Sequence, residues 1–197
     1  MILRRVFEGK ERGFYVDVGA HHPRRFSNTC FFYRKGWHGI NIEPNPEAIV
    51  TFQKERSRDI NLQMGVSSKD GVLTYYLFND AALNSFSKAL ADSRLQTSQY
   101  RIVGTKEIKV QTLESILRQF VPAATKIDFL TIDVEGFDLD ALQSNDWETF
   151  RPTCVLVESL ETSLDEILAS EVFRFMRGRG YRVLAKTVNT LIFTLSE

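Results

Sequence analysis

The sequence predicts an α/β domain with a doubly wound, mostly parallel β-sheet that ends in an antiparallel hairpin. Short apolar runs such as 14–18, 127–133 and 155–158 are typical of strands that are buried on both faces of a sheet. Segments with helical spacing alternate with these strands along the chain. The last two apolar runs, 181–187 and 190–195, are separated by only a few residues, which predicts the hairpin.

The first half of the chain predicts four strands and two helices. Gly36 ends the first helix, and Pro46 is tolerated in the first turn of the second. The turn residues 68–71 separate the third strand from the fourth. The predicted strands are 14–18, 38–43, 60–66 and 72–78, and the predicted helices are 25–34 and 46–56.

The second half of the chain begins with a segment, 79–104, that lacks periodicity and is rich in polar residues. A long irregular segment inside a domain is either a functional lid or disordered, and we favour a lid or substrate loop. No repeat or linker divides the sequence, so residues 1–197 are predicted to form a single domain. The remaining predicted strands are 106–110, 127–133, 155–158, 181–187 and 190–195, and the helices are 112–121, 138–144 and 163–178.

Composition excludes several classes of protein. Lysine and arginine number 25, as do aspartate and glutamate, and this balance argues against a general nucleic-acid-binding protein. The two cysteines, Cys30 and Cys154, lack metal-type spacing and predict reduced thiols. The N-terminus lacks the apolar core of a signal peptide, and no run is long enough to span a bilayer. We therefore expect a soluble, cytoplasmic protein.

Two predicted strands end at acidic residues, and together they predict a nucleoside-binding cleft. The first strand runs into the turn Asp17–Ala20, and the second ends at Glu43. In an open α/β sheet the ligand binds beyond the carboxyl ends of the strands, where the strand order reverses. Glu43 would there accept hydrogen bonds from both hydroxyls of a ribose.

The turn after the first strand discriminates between classes of cofactor. A dinucleotide-binding turn has the pattern Gly-x-Gly-x-x-Gly, whereas residues 17–22 contain only Gly19. A single glycine makes a poor pyrophosphate cradle, which disfavours NAD and FAD. Asp17, just ahead of the glycine, suits a cationic group such as the amino acid end of S-adenosylmethionine.

In their order and spacing, these motifs resemble the FkbM-type methyltransferases over roughly residues 13–195. The resemblance implies the class I methyltransferase (Rossmann-like) fold, S-adenosylmethionine as methyl donor, and O-methylation of sugars or natural products. Thr131 departs from the family pattern, because many members have lysine there. The motifs that carry the resemblance are Asp17–His21, Gly39–Pro44, Thr112–Glu114, Ile132–Gly136 and Val157–Glu158.

The resemblance also implies which residues bind the cofactor. The Asp17–Ala20 loop holds the methionine part, Glu43 holds the ribose, and Val66 and Ser67 lie near the adenine. Neighbouring residues extend this set, although Asn28 and Thr29 could equally cap the following helix. The predicted cofactor-binding residues are Asp17, Gly19, Ala20, His21, Asn28, Thr29, Glu43, Pro44, Val66, Ser67 and Asp133.

Asp133 and Glu135 are the main catalytic candidates. Acids two apart at a strand end can point into one cleft, where one accepts the proton of an attacking hydroxyl and the other positions the substrate. Alternatively, both join Asp138 or Glu158 in holding a divalent metal ion that acidifies the hydroxyl. Structurally, Glu135 could instead cap the following helix. His22 is a further candidate base, because histidine titrates near neutral pH, although local packing also explains a loop histidine.

The leading hypothesis is therefore an S-adenosylmethionine-dependent O-methyltransferase that acts on a sugar, glycan or natural-product hydroxyl. A non-catalytic nucleoside-binding module of the same fold and a nicotinamide-dependent oxidoreductase are the alternatives. No motif identifies the acceptor, and the oligomeric state is left open.

Overall fold

The computed structural model describes residues 2–97 and 99–196, which form an α/β structure. The strands are β1 (Phe14–Val18), β2 (His38–Ile42), β3 (Ile60–Leu62), β4 (Gly65–Val66), β5 (Gly71–Phe78), β6 (Ile102–Gln111), β7 (Phe129–Ile132), β8 (Cys154–Glu158), β9 (Tyr181–Lys186) and β10 (Thr190–Leu195). The helices are α1 (Ile2–Val6), α2 (Cys30–Arg34), α3 (Pro46–Glu55), α4 (Lys88–Arg94), α5 (Leu113–Phe120), α6 (Asp138–Gln143), α7 (Leu164–Ala169) and α8 (Glu171–Gly178).

The central sheet has seven strands in the order β3-β2-β1-β7-β8-β10-β9. Strands β3, β2, β1, β7 and β8 pair in parallel, whereas β10 is antiparallel to both β8 and β9. The last strand of the chain thus inserts between β8 and β9. The strand order reverses beside β1, which lies between β2 and β7, and this is the switch point at which ligands bind in such sheets. The predicted doubly wound fold with a C-terminal antiparallel hairpin is confirmed.

Alternate residues of the central strands pack on the two faces of the sheet. In β1, Val16 and Val18 join the larger core, whereas Tyr15 lies in a second, aromatic core with Phe32 and Phe129. All five residues of β1 are buried, which explains why its sequence is an almost continuous apolar run. The one carboxylate in that run, Asp17, lies near the carboxyl end of the strand.

The prediction of one strand over 60–66 is wrong. Residues 60–62 pair with β2 in the central sheet, while Gly65 and Val66 pair with β6 in a second sheet of order β4-β6-β5. The chain leaves the first sheet at residues 63–64. A Cβ on Gly65 would lie 2.6 Å from the ring of Phe86. Glycine therefore allows this ring to pack against the backbone where the chain enters the second sheet.

Two helix predictions also need correction. The helix predicted over 25–34 begins only at Cys30, because Phe26 has a φ of 56°, in the left-handed region. The helix predicted over 163–178 consists of two helices, α7 and α8. They are separated at Ser170, whose backbone is extended and whose hydroxyl accepts a hydrogen bond from the Phe173 amide.

The segment 79–104, predicted to be irregular, contains regular structure. A short 3₁₀ turn covers Ala81–Leu83, α4 follows, and β6 already begins at Ile102. Residue 98 of this segment lies outside the described residues. Within the described ranges, no helix combines the length and the apolar character needed to cross a membrane.

Candidate active site

A cavity of about 310 Å³ opens beyond the carboxyl ends of β1, β2 and β7, at the switch point of the sheet. One wall comes from the turn after β1 and another from Glu43 and Pro44, which follow β2. The turn after β7 contributes Asp133 and Glu135. The opposite side is covered by Tyr75 of β5 and by the segment 81–86. Strand ends that are distant in sequence therefore share one cavity.

The turn after β1 packs directly against the end of β7. Gly19 has a φ of 77°, and a Cβ at this position would lie 1.8 Å from the backbone oxygen of Asp133. The amides of Gly19 and Ala20 both donate to the backbone oxygen of Ile42, at 3.0 and 3.1 Å. Only glycine fits this turn, which holds the ends of β1, β2 and β7 together.

Glu43 is buried and held by backbone amides. Its Oε2 accepts a hydrogen bond from the His21 amide and its Oε1 from the Asn45 amide, both at 2.8 Å. Burial raises the pKa of Glu43 to about 7, against the opposing effect of these two bonds. Each carboxylate oxygen has capacity for a further hydrogen bond. Glu43 can therefore receive two hydroxyl groups at the cavity wall.

Asp17 is fixed by a residue behind the cavity. The hydroxyl of Thr29 donates to Oδ2 of Asp17 at 2.9 Å, and Thr29 itself is fully buried. Burial raises the pKa of Asp17 to about 6. Beside it, the side-chain amide of Asn28 donates to the hydroxyl of Thr131 at 3.1 Å, and both residues line the cavity. Thr131, which departs from the motif pattern noted in the sequence, is thus part of the wall.

Three carboxylates converge after β7 and β8. Oxygen atoms of Asp133, Glu135 and Glu158 all lie within 4.8 Å of one another. The pKa of Asp133 is raised to about 7 and that of Glu158 to about 8, first by removal from water and then by the neighbouring carboxylates. Asp133 is exposed at the cavity. Asp133 and Glu158 can therefore exchange protons near neutral pH.

Glu135 is tied to the segment above the cavity. Its carboxylate forms an ion pair with Arg94 at the end of α4, and its backbone oxygen accepts a hydrogen bond from the Ser85 hydroxyl at 2.7 Å. Its φ of 52° lies in the left-handed region. Arg94 also donates to the backbone oxygen of Leu83. Segment 83–94 and the β7–α6 turn thus hold each other in place.

Most residues predicted for the site line this cavity, and four do not. His22 accepts hydrogen bonds at Nδ1 from the amides of Arg24 and Arg25, at 3.0 and 3.2 Å, and so stabilises its own turn. The predicted residues in the lining are Asp17, Gly19, Ala20, His21, Asn28, Glu43, Pro44, Val66, Asp133, Glu135 and Glu158. Those outside it are His22, Thr29, Ser67 and Asp138.

Each of the other three residues has a structural contact. Thr29 bonds Asp17, as described, and the Ser67 amide donates to the backbone oxygen of Gln111 at 3.1 Å. The carboxylate of Asp138 accepts from the amides of Val134 and Gly136, at 3.1 and 3.2 Å, and so shapes the turn that carries Glu135. Burial raises the pKa of Asp138 to about 6.

Sequence reasoning missed Arg94, Tyr75 and Phe26. Arg94 contacts a carboxylate 41 residues away, and no local pattern marks such a partner. Phe26 lines the cavity and is 91% exposed. The sequence placed it in a helix, whereas in the structure it lies in the loop before α2. Tyr75 belongs to β5 of the second sheet. The strand pattern of the sequence did not reveal where this sheet lies relative to the first.

Comparisons with known proteins identify the family. The sequence matches the family model described as the Methyltransferase FkbM domain over residues 17–183. The methyltransferase sdnD of Sordaria araneosa is 28% identical over 145 aligned residues, and the match covers 60% of this chain and 55% of that protein. This chain therefore spans about half the length of that curated relative.

Two solved structures resemble the chain at low identity. One is a TehB-like SAM-dependent methyltransferase from Corynebacterium glutamicum, which is 9% identical with a TM-score of 0.48. The alignment covers 99% of this chain and 86% of that chain. The precorrin-6y C5,15-methyltransferase from Geobacter metallireducens is 10% identical, covers 100% and 86%, and gives a TM-score of 0.45. The family match, which extends over most of the chain, confirms the resemblance seen in the motifs. The chain belongs to the Methyltransferase FkbM domain family.

Proposed function

We propose that this chain is an S-adenosylmethionine-dependent O-methyltransferase that acts on a hydroxyl of a sugar, glycan or natural-product acceptor. The observation that carries the proposal is the convergence of Asp17, Glu43 and Asp133 on one cavity at the switch point of the sheet. Family membership supports the reaction class. The acceptor class comes from the family resemblance alone.

The residues of the cavity fit the proposed methyl donor. Glu43 has acceptor capacity for both hydroxyls of a ribose, since each of its oxygens already holds one amide and can take one more bond. Val66 and Met64 supply apolar wall for an adenine. Asp17 supplies negative charge for an ammonium group. The single glycine in the turn offers no pyrophosphate cradle, which disfavours NAD.

Asp133 is the proposed general base. When bound, the donor supplies a sulfonium methyl group that an acceptor oxygen takes in one displacement, with the carbon–sulfur bond breaking. Asp133 accepts the hydroxyl proton, and its pKa of about 7 matches that task at neutral pH. Glu158, with a pKa of about 8, is largely protonated there and can donate a hydrogen bond to the acceptor. Glu135, held by Arg94, positions the acceptor.

A divalent ion is the alternative means of acidifying the hydroxyl. Asp133, Glu135 and Glu158 bring oxygen ligands close enough to share one ion. Asp138, also considered as a ligand, already binds two backbone amides. Assays with and without EDTA separate metal-assisted transfer from transfer by a carboxylate base.

Calorimetry tests the proposed function directly. We expect S-adenosylmethionine and S-adenosylhomocysteine to bind and NAD not to bind. NAD binding without a response to either sulfur nucleoside would favour the oxidoreductase and overturn the proposal. A panel of sugars, glycans and natural products with labelled methyl donor then identifies the acceptor. Nucleoside binding without transfer to any of them would favour a non-catalytic module.

A further inference from the structure

Arg56, which follows α3, is a charged residue with no access to solvent. Its side chain is 1% exposed, whereas arginine is almost never fully buried unless it is paired. Its guanidinium lies 4.6 Å from the centre of the Tyr33 ring. A buried charge of this kind is costly unless its hydrogen bonds are satisfied. Its partners therefore show what it holds together.

One set of partners belongs to the loop Pro23–Thr29, which precedes α2. Nε and Nη2 of Arg56 donate to the backbone oxygen of Pro23, at 3.1 and 2.6 Å. Nη2 also donates to the hydroxyls of Ser27 at 3.2 Å and Thr29 at 3.5 Å. The guanidinium thus binds both ends of this loop. The same loop supplies Phe26, Ser27 and Asn28 to the cavity wall.

The other set of partners anchors Arg56 beneath β1. Nη1 donates to the hydroxyl of Tyr15 at 3.1 Å and lies 3.7 Å from Oδ2 of Asp59. The Tyr15 hydroxyl donates in turn to Asp59 at 2.6 Å. Tyr15 is a fully buried residue of β1, so this contact ties Arg56 to the central sheet.

The two sets meet at Asp17. The hydroxyl of Thr29 lies between Arg56 and Asp17, accepting from the first and donating to Oδ2 of the second at 2.9 Å. The positive charge of Arg56 also opposes the effect of burial on the pKa of Asp17 and so favours the carboxylate. Arg56 is not among the residues that line the cavity. It contacts the lining residue Ser27 directly and Asp17 by way of Thr29.

We infer that Arg56 is a positioning residue for the methyl donor: it holds the Pro23–Thr29 loop and Asp17 in the arrangement that receives the donor's amino acid end. This inference rests on the proposed function, because it takes the cavity to be the donor site. It assigns no contact between Arg56 and the donor.

The test replaces the forked guanidinium and keeps its charge. In Arg56→Lys, an ammonium can reach one side of the network but not bind Pro23, Thr29 and Tyr15 together. We expect the Kd for S-adenosylhomocysteine and the KM for S-adenosylmethionine to rise about tenfold, with kcat at saturating donor kept. Arg58→Lys is the matched control. Arg58 is exposed, lies 3.9 Å from the same Tyr33 ring and donates to the Tyr33 backbone oxygen.

A second variant isolates the link to Asp17. Thr29→Val removes the hydroxyl between Arg56 and Asp17 and keeps the shape of the side chain. If Arg56 acts through Thr29, the effects of Thr29→Val and Arg56→Lys on donor affinity are not additive in the double variant. Thermal unfolding of each variant monitors folding. If Arg56→Lys does not fold, Thr29→Val alone carries the test.

The outcomes separate this inference from the proposed function. If the unchanged protein binds neither sulfur nucleoside, the proposed function fails. If it binds them and Arg56→Lys or Thr29→Val binds equally well, the role of Arg56 is overturned while the proposed function stands. A fall in kcat with unchanged donor affinity would also overturn it.

Discussion

Gly19→Ala tests whether the close approach of the β1 turn to β7 builds the site. Two costs follow from the structure. An L-residue at a φ of 77° is strained by about 1–2 kcal/mol. The added Cβ would also lie 1.8 Å from the backbone oxygen of Asp133, whereas real Cβ contacts begin near 3.0 Å, so the β7 end must move. Overpacking of this kind costs about 1–3 kcal/mol.

Gly9→Ala is the matched control, because Gly9 has nearly the same φ, 78°, and no atom of the described residues lies within 4 Å of the added Cβ. Gly9→Ala therefore carries only the backbone strain. In urea unfolding, we expect Gly19→Ala to lose more free energy of unfolding than Gly9→Ala does, by about 1–3 kcal/mol. Movement of Asp133 by about 1 Å should also lower kcat about 100-fold. Equal losses of stability in the two variants, or unchanged turnover in Gly19→Ala, would refute the reasoning.

The remaining predictions concern the carboxylates. Asp133→Asn should lower kcat at least about tenfold and leave the calorimetric Kd for S-adenosylhomocysteine unchanged, with the exposed Asp165→Asn as control; unchanged kcat removes Asp133 as base. In the unchanged protein, kcat should rise with pH through about 7 as Asp133 ionises, and a flat profile would contradict this role. Glu43 has a pKa of about 7 in the fold against an ordinary value of 4.5, so its protonated form stabilises the protein below pH 4.5 and this contribution is lost as pH rises through about 7. Melting temperatures from pH 5 to 8 should therefore fall less in Glu43→Gln, and identical slopes would exclude Glu43 as a cause. EDTA should leave kcat unchanged if a carboxylate is the base, whereas loss restored by Mg²⁺ would favour the metal alternative.

The parts of the fold that follow from local sequence were predicted well. The turn at Gly19 and the acid at Glu43 both stand at strand ends, where a short apolar run and the residue after it are enough to predict the position. The helix predicted over 25–34 failed because Phe26 takes a left-handed conformation in a loop that Arg56 holds from about thirty residues away. The spacing of apolar residues along the sequence cannot reveal a contact with a residue that is about thirty positions away.

The turn after β7, which the proposed function assigns to the acceptor, shows the same limit. Arg94 and Ser85 lie in a segment without periodicity, yet they bind the side chain and the backbone oxygen of Glu135. The turn that carries the proposed catalytic groups is therefore completed by residues that lie 41 and 50 positions earlier in the sequence. Because α4 and this turn support each other, we expect a change of sequence in 83–94 to alter the position of Glu135. In the proposed function Glu135 positions the acceptor, so we expect such changes to alter acceptor specificity within the same fold.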